Sequence, residues 1–261
     1  MSPNAEGTVG LIEVAPGVRR MTAPNPGRLT AEGAHSFVLG RGEVVVVDPG
    51  PMENAGHVGR LVAALRGERI VGLAVTHRHL DHAGAVAEMA GEAGAEVLTP
   101  GQLADHGVEI IAAPGHTSDH VAFRFGDVVL TGDHVFEHTS TLIDWPDGSV
   151  SAFLETTRAL RDLAHLSFHP AHGPQLSDPP ARLDWLIRHR EDRNRAILEV
   201  LGRGAANVGG IFDVVYADAP PGLRGAALLT LNAHLDHLER EGRIVSEGNG
   251  PTREFILRIR D

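Results

Sequence analysis

Seven residues carry side chains that could jointly bind metal. They are His77, His79, Asp81 and His82 within Thr-His-Arg-His-Leu-Asp-His, then His116, Asp133 and His172. Five imidazoles and two carboxylates suffice for two adjacent divalent ions, which together make hydroxide at neutral pH and polarise a substrate. Residues two apart on an extended loop face the same way, so His77 and His79 can clasp one ion while Asp81 and His82 turn toward a second. Asp81 and Asp133 are the candidate catalytic carboxylates. Imidazole-rich ligation favours Zn2+, and mixed His/Asp sites also accept Mn2+ or Fe.

Each neighbour has a plainer reading. His116 after Pro114-Gly115 reads alone as a turn residue, and Asp133 after Thr131-Gly132 as a turn carboxylate. The His77–His82 cluster moves both toward the ligand reading. His120 and His134 read first as hydrogen-bonding residues beside the ligands. Asp48, at the end of an apolar strand, either orients a ligand imidazole or stabilises its own turn. His35, His57, His165, His189 and His234 read as packing or surface residues.

Convergent ligands need a rigid scaffold with the ligands on its loops. Strands are predicted at Ser36–Gly40 and Glu43–Val47, joined at Arg41-Gly42, and at Ile70–Val75, which runs into the histidine cluster. Helix is predicted at 54–66 and about 83–93, with a strand at 96–99. Glu109–Ala112, Val121–Phe125 and Asp127–Leu130 read as short strands, with His116 and Asp133 just after two of them. A helix over 151–164 follows, and Phe168 leads into His172. The first 30 residues read as a loose strand and loop. A mixed sheet with helices outside, an α+β class, is the implied body. Pro179-Pro180 divides the chain into 1–178 and 179–261. The second part shows a helix at about 181–202, a Gly-rich gap, a helix at about 223–241 with Leu228, Leu231, Leu235 and Leu238 on one face, and a strand pair at Arg243–Val245 and Glu254–Ile259. That order is winged-helix-like.

Bulk composition narrows the classes. The 261 residues contain 42% hydrophobic side chains but only 4% aromatics, so the core is built from Val, Leu, Ile and Ala. No cysteine is present, which excludes disulfides and thiolate ligands. No signal-like stretch opens the chain and no apolar run approaches the span of a bilayer, so a cytoplasmic protein without a membrane partner is expected. The net charge is −11, and all 23 basic residues are arginine. Up to residue 180 there are 22 acidic and 11 basic side chains, so the first part lacks the basic surplus of a general nucleic-acid binder. Arg182, Arg188, Arg190, Arg193 and Arg195 share one predicted helix with Asp184, Glu191 and Asp192. The usual meaning is a solvated face with internal ion pairs; a phosphate-contacting edge is the alternative.

Over residues 30–178 the chain resembles the metallo-β-lactamase superfamily. The matching pieces are Val47-Asp48-Pro49-Gly50, Thr76 to His82, Pro114-Gly115-His116-Thr117, Thr131-Gly132-Asp133-His134 and Pro170-Ala171-His172-Gly173-Pro174. The resemblance implies an αββα sandwich. It assigns His77, His79 and His116 to one metal, Asp81, His82 and His172 to the other, and Asp133 as the bridge. The C-terminal part is similar to the branch with a winged-helix-like extension, whose animal members are similar to endoribonucleases acting on single-stranded RNA. The Cys ligand and the substrate-gripping Lys of the best-known zinc β-lactamases are absent, and Ala171 stands where a Gly is common. The expected function is a dinuclear zinc-type hydrolase of a small ester, thioester or lactone, with a single-stranded RNA phosphodiesterase as the alternative. A purely binding winged-helix protein would not need seven convergent ligands. Winged-helix-like modules also serve as dimer surfaces, so a homodimer fits the same reading.

Overall fold

A computed structural model describes residues 10–52, 56–204, 206–248, 250 and 253–258. Its two compact units interleave in sequence. One comprises Met1–Ala113, Asp119–Thr139 and Ala164–Pro179; the other comprises Pro114–Ser118, Ser140–Leu163 and Pro180–Asp261.

The first unit is built on two mixed sheets. Strands β1 (Ile12–Ala15), β2 (Val18–Thr22), β3 (His35–Arg41), β4 (Glu43–Val47) and β5 (Arg69–Ala74) form one sheet in that order. Strands β6 (Val108–Ala112), β7 (Val121–Phe125), β8 (Val128–Gly132) and β9 (Ser167–Pro170) form the other. In each sheet only the last pair is parallel, β4 with β5 and β8 with β9. The Val44–Val47 run explains the layering. Val45 and Val47 pack with Phe37, Leu39, Phe123 and Leu130 between the sheets. Val44 and Val46 face the other way, onto Val58 and Leu61 of α1 (His57–Ala64) and Met89 of α3 (Val86–Ala93). A strand buried on both faces reads as a continuous apolar run.

The second unit contains α5 (Val150–Leu160), α6 (Pro179–Leu201), α7 (Val208–Val215) and α8 (Arg224–Arg240). It also has a small sheet in the order β10 (Ala206–Asn207), β12 (Glu254–Leu257), β11 (Ile244–Glu247). Ile197, Leu201, Ile211, Phe212, Leu231, Leu235, Leu238, Ile244 and Phe255 form its core. The order from α6 to β12 is a winged-helix topology, as expected.

Several local expectations change. Of the predicted loose strand and loop over the first 30 residues, 1–9 lie outside the described residues, and Ile12–Thr22 form the β1–β2 hairpin, turned at Gly17 with φ 71°. The predicted strand at 96–99 makes a single bridge, Val97 to Leu73, and α4 (Pro100–Asp105) follows from a Thr99/Gln102 capping box. The helix predicted at 83–93 is two, α2 (Leu80–Ala83) and α3, separated around Gly84. Helix α6 starts at the proline pair, because Pro lacks only an N–H that the first turn does not use. Asn207 caps α7 by accepting from the Gly210 N–H at 2.9 Å, and the adjacent glycines hid that helix from the sequence reading. Leu228 is 41% exposed, while Leu231, Leu235 and Leu238 are buried. Residues 54 and 55 of the first predicted helix, and Ile259 of the last predicted strand, lie outside the described residues. No helix among the described residues is long and apolar enough to cross a membrane.

Candidate metal centre

In the first unit, the predicted ligands leave the C-terminal ends of neighbouring strands. Asp48 follows β4, Thr76 and His77 follow β5, Asp133 follows β8, and His172 follows β9. Six of the seven predicted ligands lie in this unit, and they form two groups. His77, His79 and Asp133 offer ligand atoms within 4.8 Å of one another, and so do Asp81, His82 and His172. Nε2 of His77 and Nδ1 of His79 are 2.9 Å apart. Asp133 Oδ1 lies 3.3 Å from His82 Nε2 and 3.4 Å from His172 Nε2. Asp81 Oδ2 lies 3.2 Å from the same His172 nitrogen. His77, His82, Asp133 and His172 are all buried.

Partners behind the rings set which nitrogen points into the centre. Nδ1–H of His82 donates to Asp48 Oδ2 at 2.9 Å, and Nδ1–H of His172 donates to the Gly33 carbonyl at 3.3 Å. The Thr76 hydroxyl donates to Asp48 Oδ2 at 2.7 Å and lies 3.1 Å from His77 Nδ1. In each ring Nε2 is thereby the lone-pair nitrogen. His82 Nε2 is fully buried and faces Asp133 Oδ1 at 3.3 Å. A nitrogen buried there takes either a proton or a metal cation. Of the two readings for Asp48, the geometry carries the first: it orients His82.

His116 lies in the second unit, also buried. Its Nδ1–H donates to the Leu142 carbonyl at 2.7 Å, so it too presents Nε2. Gly115, with φ 144°, lies so close to α5 that a Cβ there would sit 2.4 Å from Phe153 Cα.

The electrostatics fit the same picture. Burial opposes charge on His82, but Asp133 and Asp48 outweigh it and raise its pKa well above the ordinary value. Burial also opposes charge on His172, and Asp133 and Asp81 raise it. Burial raises the Asp81 carboxyl, yet the bond to His172 and the charge on His82 hold it below the usual value. A pocket that draws protons to two imidazoles in this way suits divalent cations, which compete for the same nitrogens.

Beside the ligands, His120 Nε2 accepts from the Asp133 backbone N–H at 3.1 Å. This is the hydrogen-bonding role expected of it. Gly132, with φ 51°, allows the approach, since a Cβ there would sit 2.6 Å from His120 Nε2. Thr76 and the Gly33–His35 segment escaped the sequence reading. His35 donates its backbone N–H to the Ala171 carbonyl at 2.8 Å and its ring to the Gly173 carbonyl at 3.0 Å, on either side of His172. These pairings join residues nearly 140 positions apart, and no local pattern announces them.

Residues 29–106 match the family model "Metallo-beta-lactamase superfamily", and residues 209–253 match "Beta-lactamase associated winged helix domain". The chain is 25% identical to a Beta-lactamase-like protein 2 homolog of Drosophila melanogaster, over 87% of this chain and 89% of that one. It is 26% identical to an Atrochrysone carboxyl ACP thioesterase of Aspergillus chevalieri, over 82% of this chain and 78% of that one. Its fold matches the crystal structure of a Beta-lactamase domain protein from Burkholderia ambifaria with a TM-score of 0.81 at 21% identity, covering 98% of this chain and 96% of that one. The chain thus carries a metallo-β-lactamase superfamily domain followed by a β-lactamase associated winged helix domain.

Proposed function

We propose that this metallo-β-lactamase superfamily hydrolase works with two divalent ions, Zn2+ by preference, and cleaves a small acyl compound, a thioester, ester or lactone. His77, His79 and His116 would hold one ion, Asp81, His82 and His172 the other, with Asp133 shared. Such ions, when bound, bring the pKa of water toward neutrality and polarise an acyl oxygen. The observation that carries the reading is that His82, His116 and His172 each donate Nδ1–H to a partner behind the ring, so each presents Nε2 as a ligand atom.

The protein groups divide the remaining work. Asp133 faces both His82 and His172, the right place for a carboxylate that spans two sites and hands a proton to the leaving atom. Asp81 is held by His172 and supplies charge to the second site. Asp48 keeps His82 in one tautomer and one orientation.

Two observations support an acyl substrate. A relative spanning most of the chain is named a thioesterase. The acidic first part offers no lysine and few arginines for a polyanion. Of the five arginines on this stretch of α6, Arg188 is exposed and the other four are engaged within the protein. Arg190 is buried, Arg193 donates to the Val215 carbonyl, Arg195 pairs with Asp192 at 2.7 Å, and Arg182 covers the Trp185 ring at 4.2 Å. We also propose 1–178 as the catalytic domain and 179–261 as the winged-helix domain, with a cytoplasmic location.

The test is turnover of a thioester, ester and lactone panel beside a labelled single-stranded RNA, with and without a chelator. Chelator-sensitive acyl hydrolysis and intact RNA support the proposal. Salt-sensitive RNA cleavage without acyl turnover overturns it in favour of the phosphodiesterase.

A further inference from the structure

His116 is gripped by a segment that is itself held by the C-terminal helices. The Leu142 carbonyl accepts from the His116 ring at 2.7 Å, and the Asp144 N–H donates to the His116 carbonyl at 2.9 Å. The Ser149 N–H donates to the Gly115 carbonyl at 2.9 Å. A side chain at Gly148 would fall 2.4 Å from the His116 carbonyl oxygen, so the fit is close on that side as well.

Two residues far along the chain fix this segment. The Arg190 guanidinium on α6 donates to the Thr141 carbonyl. Thr230 Oγ1 on α8 accepts from the Ile143 N–H at 3.2 Å. The two anchors flank Leu142, the residue that holds the imidazole.

Arg190 is a costly choice for this position. It is 1% exposed, lies 4.8 Å over the Phe153 ring, and its Nε has no hydrogen-bond partner. Among the described residues no carboxylate pairs with it. A buried cation without a counter-ion is a poor way to gain stability, and an apolar side chain of similar volume often does as well or better. The guanidinium does reach a backbone carbonyl with directional donors, which an apolar side chain cannot do. Its presence here is therefore better explained by geometry than by stability.

We propose that Arg190 and Thr230 are positioning residues for His116, and that through them the C-terminal helices set the direction in which the His116 imidazole points. The proposal rests on the reading of His116 as a ligand. It makes α6 and α8 part of the ligand scaffold.

The test compares full-length R190M, T230V, T230S, H116A and I197A with the unchanged protein. Zinc affinity is read by competition with a chromophoric chelator, and geometry by the visible spectrum of the Co2+-loaded protein. R190M and T230V are expected to weaken one of the two ions by roughly 10–100-fold and to shift its Co2+ bands, as changes behind a ligand imidazole typically do. T230S, which keeps the hydroxyl, is expected to restore both. I197A opens a cavity in the same unit and is expected to lower thermal stability while both ions bind as before. If R190M and T230V bind both ions with unchanged affinity while H116A weakens one, the positioning role is wrong and the ligand reading stands. If H116A itself changes nothing, the ligand reading falls first. Equal metal loss in I197A would mean that any destabilisation of the unit loosens the site, and would overturn the proposal.

Discussion

Asp48 and His82 are locked to each other: Oδ2 of Asp48 accepts from Nδ1 of His82 at 2.9 Å, and both side chains are almost fully buried. Asp48 occupies an uncommon backbone conformation for a non-glycine residue, φ 50°. Thr76 stabilises it with two further bonds, from its N–H and its hydroxyl, each 2.7 Å long. Strain held in place by several contacts is a common mark of a functional site. The result is a carboxylate that cannot turn away and an imidazole that can present only Nε2.

Replacing Asp48 tests this lock. Asp48→Asn keeps the shape and tolerates the left-handed backbone, but removes the charge that fixes the ring. Affinity for one ion is expected to fall roughly 10–100-fold with the fold intact. Chelator competition measures the first and circular dichroism the second. Unchanged affinity would remove Asp48 from the account.

Protons and metal compete for the same atoms. In the metal-free centre the pKa values of His82 and His172 are raised, so both rings carry protons at pH values above the ordinary 6.5. Ions that take Nε2 displace those protons. Loading at pH 7 should therefore release protons, and affinity should fall as pH drops through the raised pKa values. Calorimetry in two buffers of different ionisation enthalpy counts the protons. Identical heats in both buffers would contradict the assignment.

Much of the site was legible in sequence because its chemistry is local. His77 to His82 lie on one loop after an apolar strand, and Val44–Val47 announces a buried strand by composition alone. What supports the ligands was not legible. Gly33 and His35 reach residues 171–173, and Arg190 reaches Thr141, by pairings that only the fold creates. His35 and Arg190 read in sequence as packing and a solvated charge because each has a plain local explanation. Helix α7 was hidden by Gly209 and Gly210, which lower helix propensity but sit in its first turn behind the Asn207 cap.

Gly132 allows the loop that carries Asp133 to approach His120. Gly132→Ala places a methyl group 2.6 Å from His120 Nε2 and keeps φ at 51°. A loss of about 1–3 kcal/mol is expected, together with weaker metal binding as the Asp133 N–H bond breaks. Urea unfolding with and without zinc gives both quantities. A variant as stable and as tight as the unchanged protein would mean that the loop adapts freely.

Buried neutral histidines give the metal-free protein an acid limit. Burial lowers His57 and His169 to about 4 each, and holds His234 well below the ordinary value. Each folded value lies below the unfolded 6.5, so this stability is complete above pH 6.5 and is lost as pH falls from 6.5 toward 4. His57→Gln removes one titration, and Gln can still reach the Ser36 hydroxyl that His57 contacts at 2.8 Å. Its stability should decline less than that of the unchanged protein across that window, by about 3 kcal/mol if the full shift is realised. Parallel pH curves would show that His57 does not titrate as described.

The centre itself is tested most directly by counting metal in the full-length protein. After loading with zinc and removal of excess, elemental analysis should find two ions per chain in the unchanged protein and fewer in His79→Ala. Absence of bound transition metal after loading, or a His79→Ala variant that keeps both ions, would contradict the account.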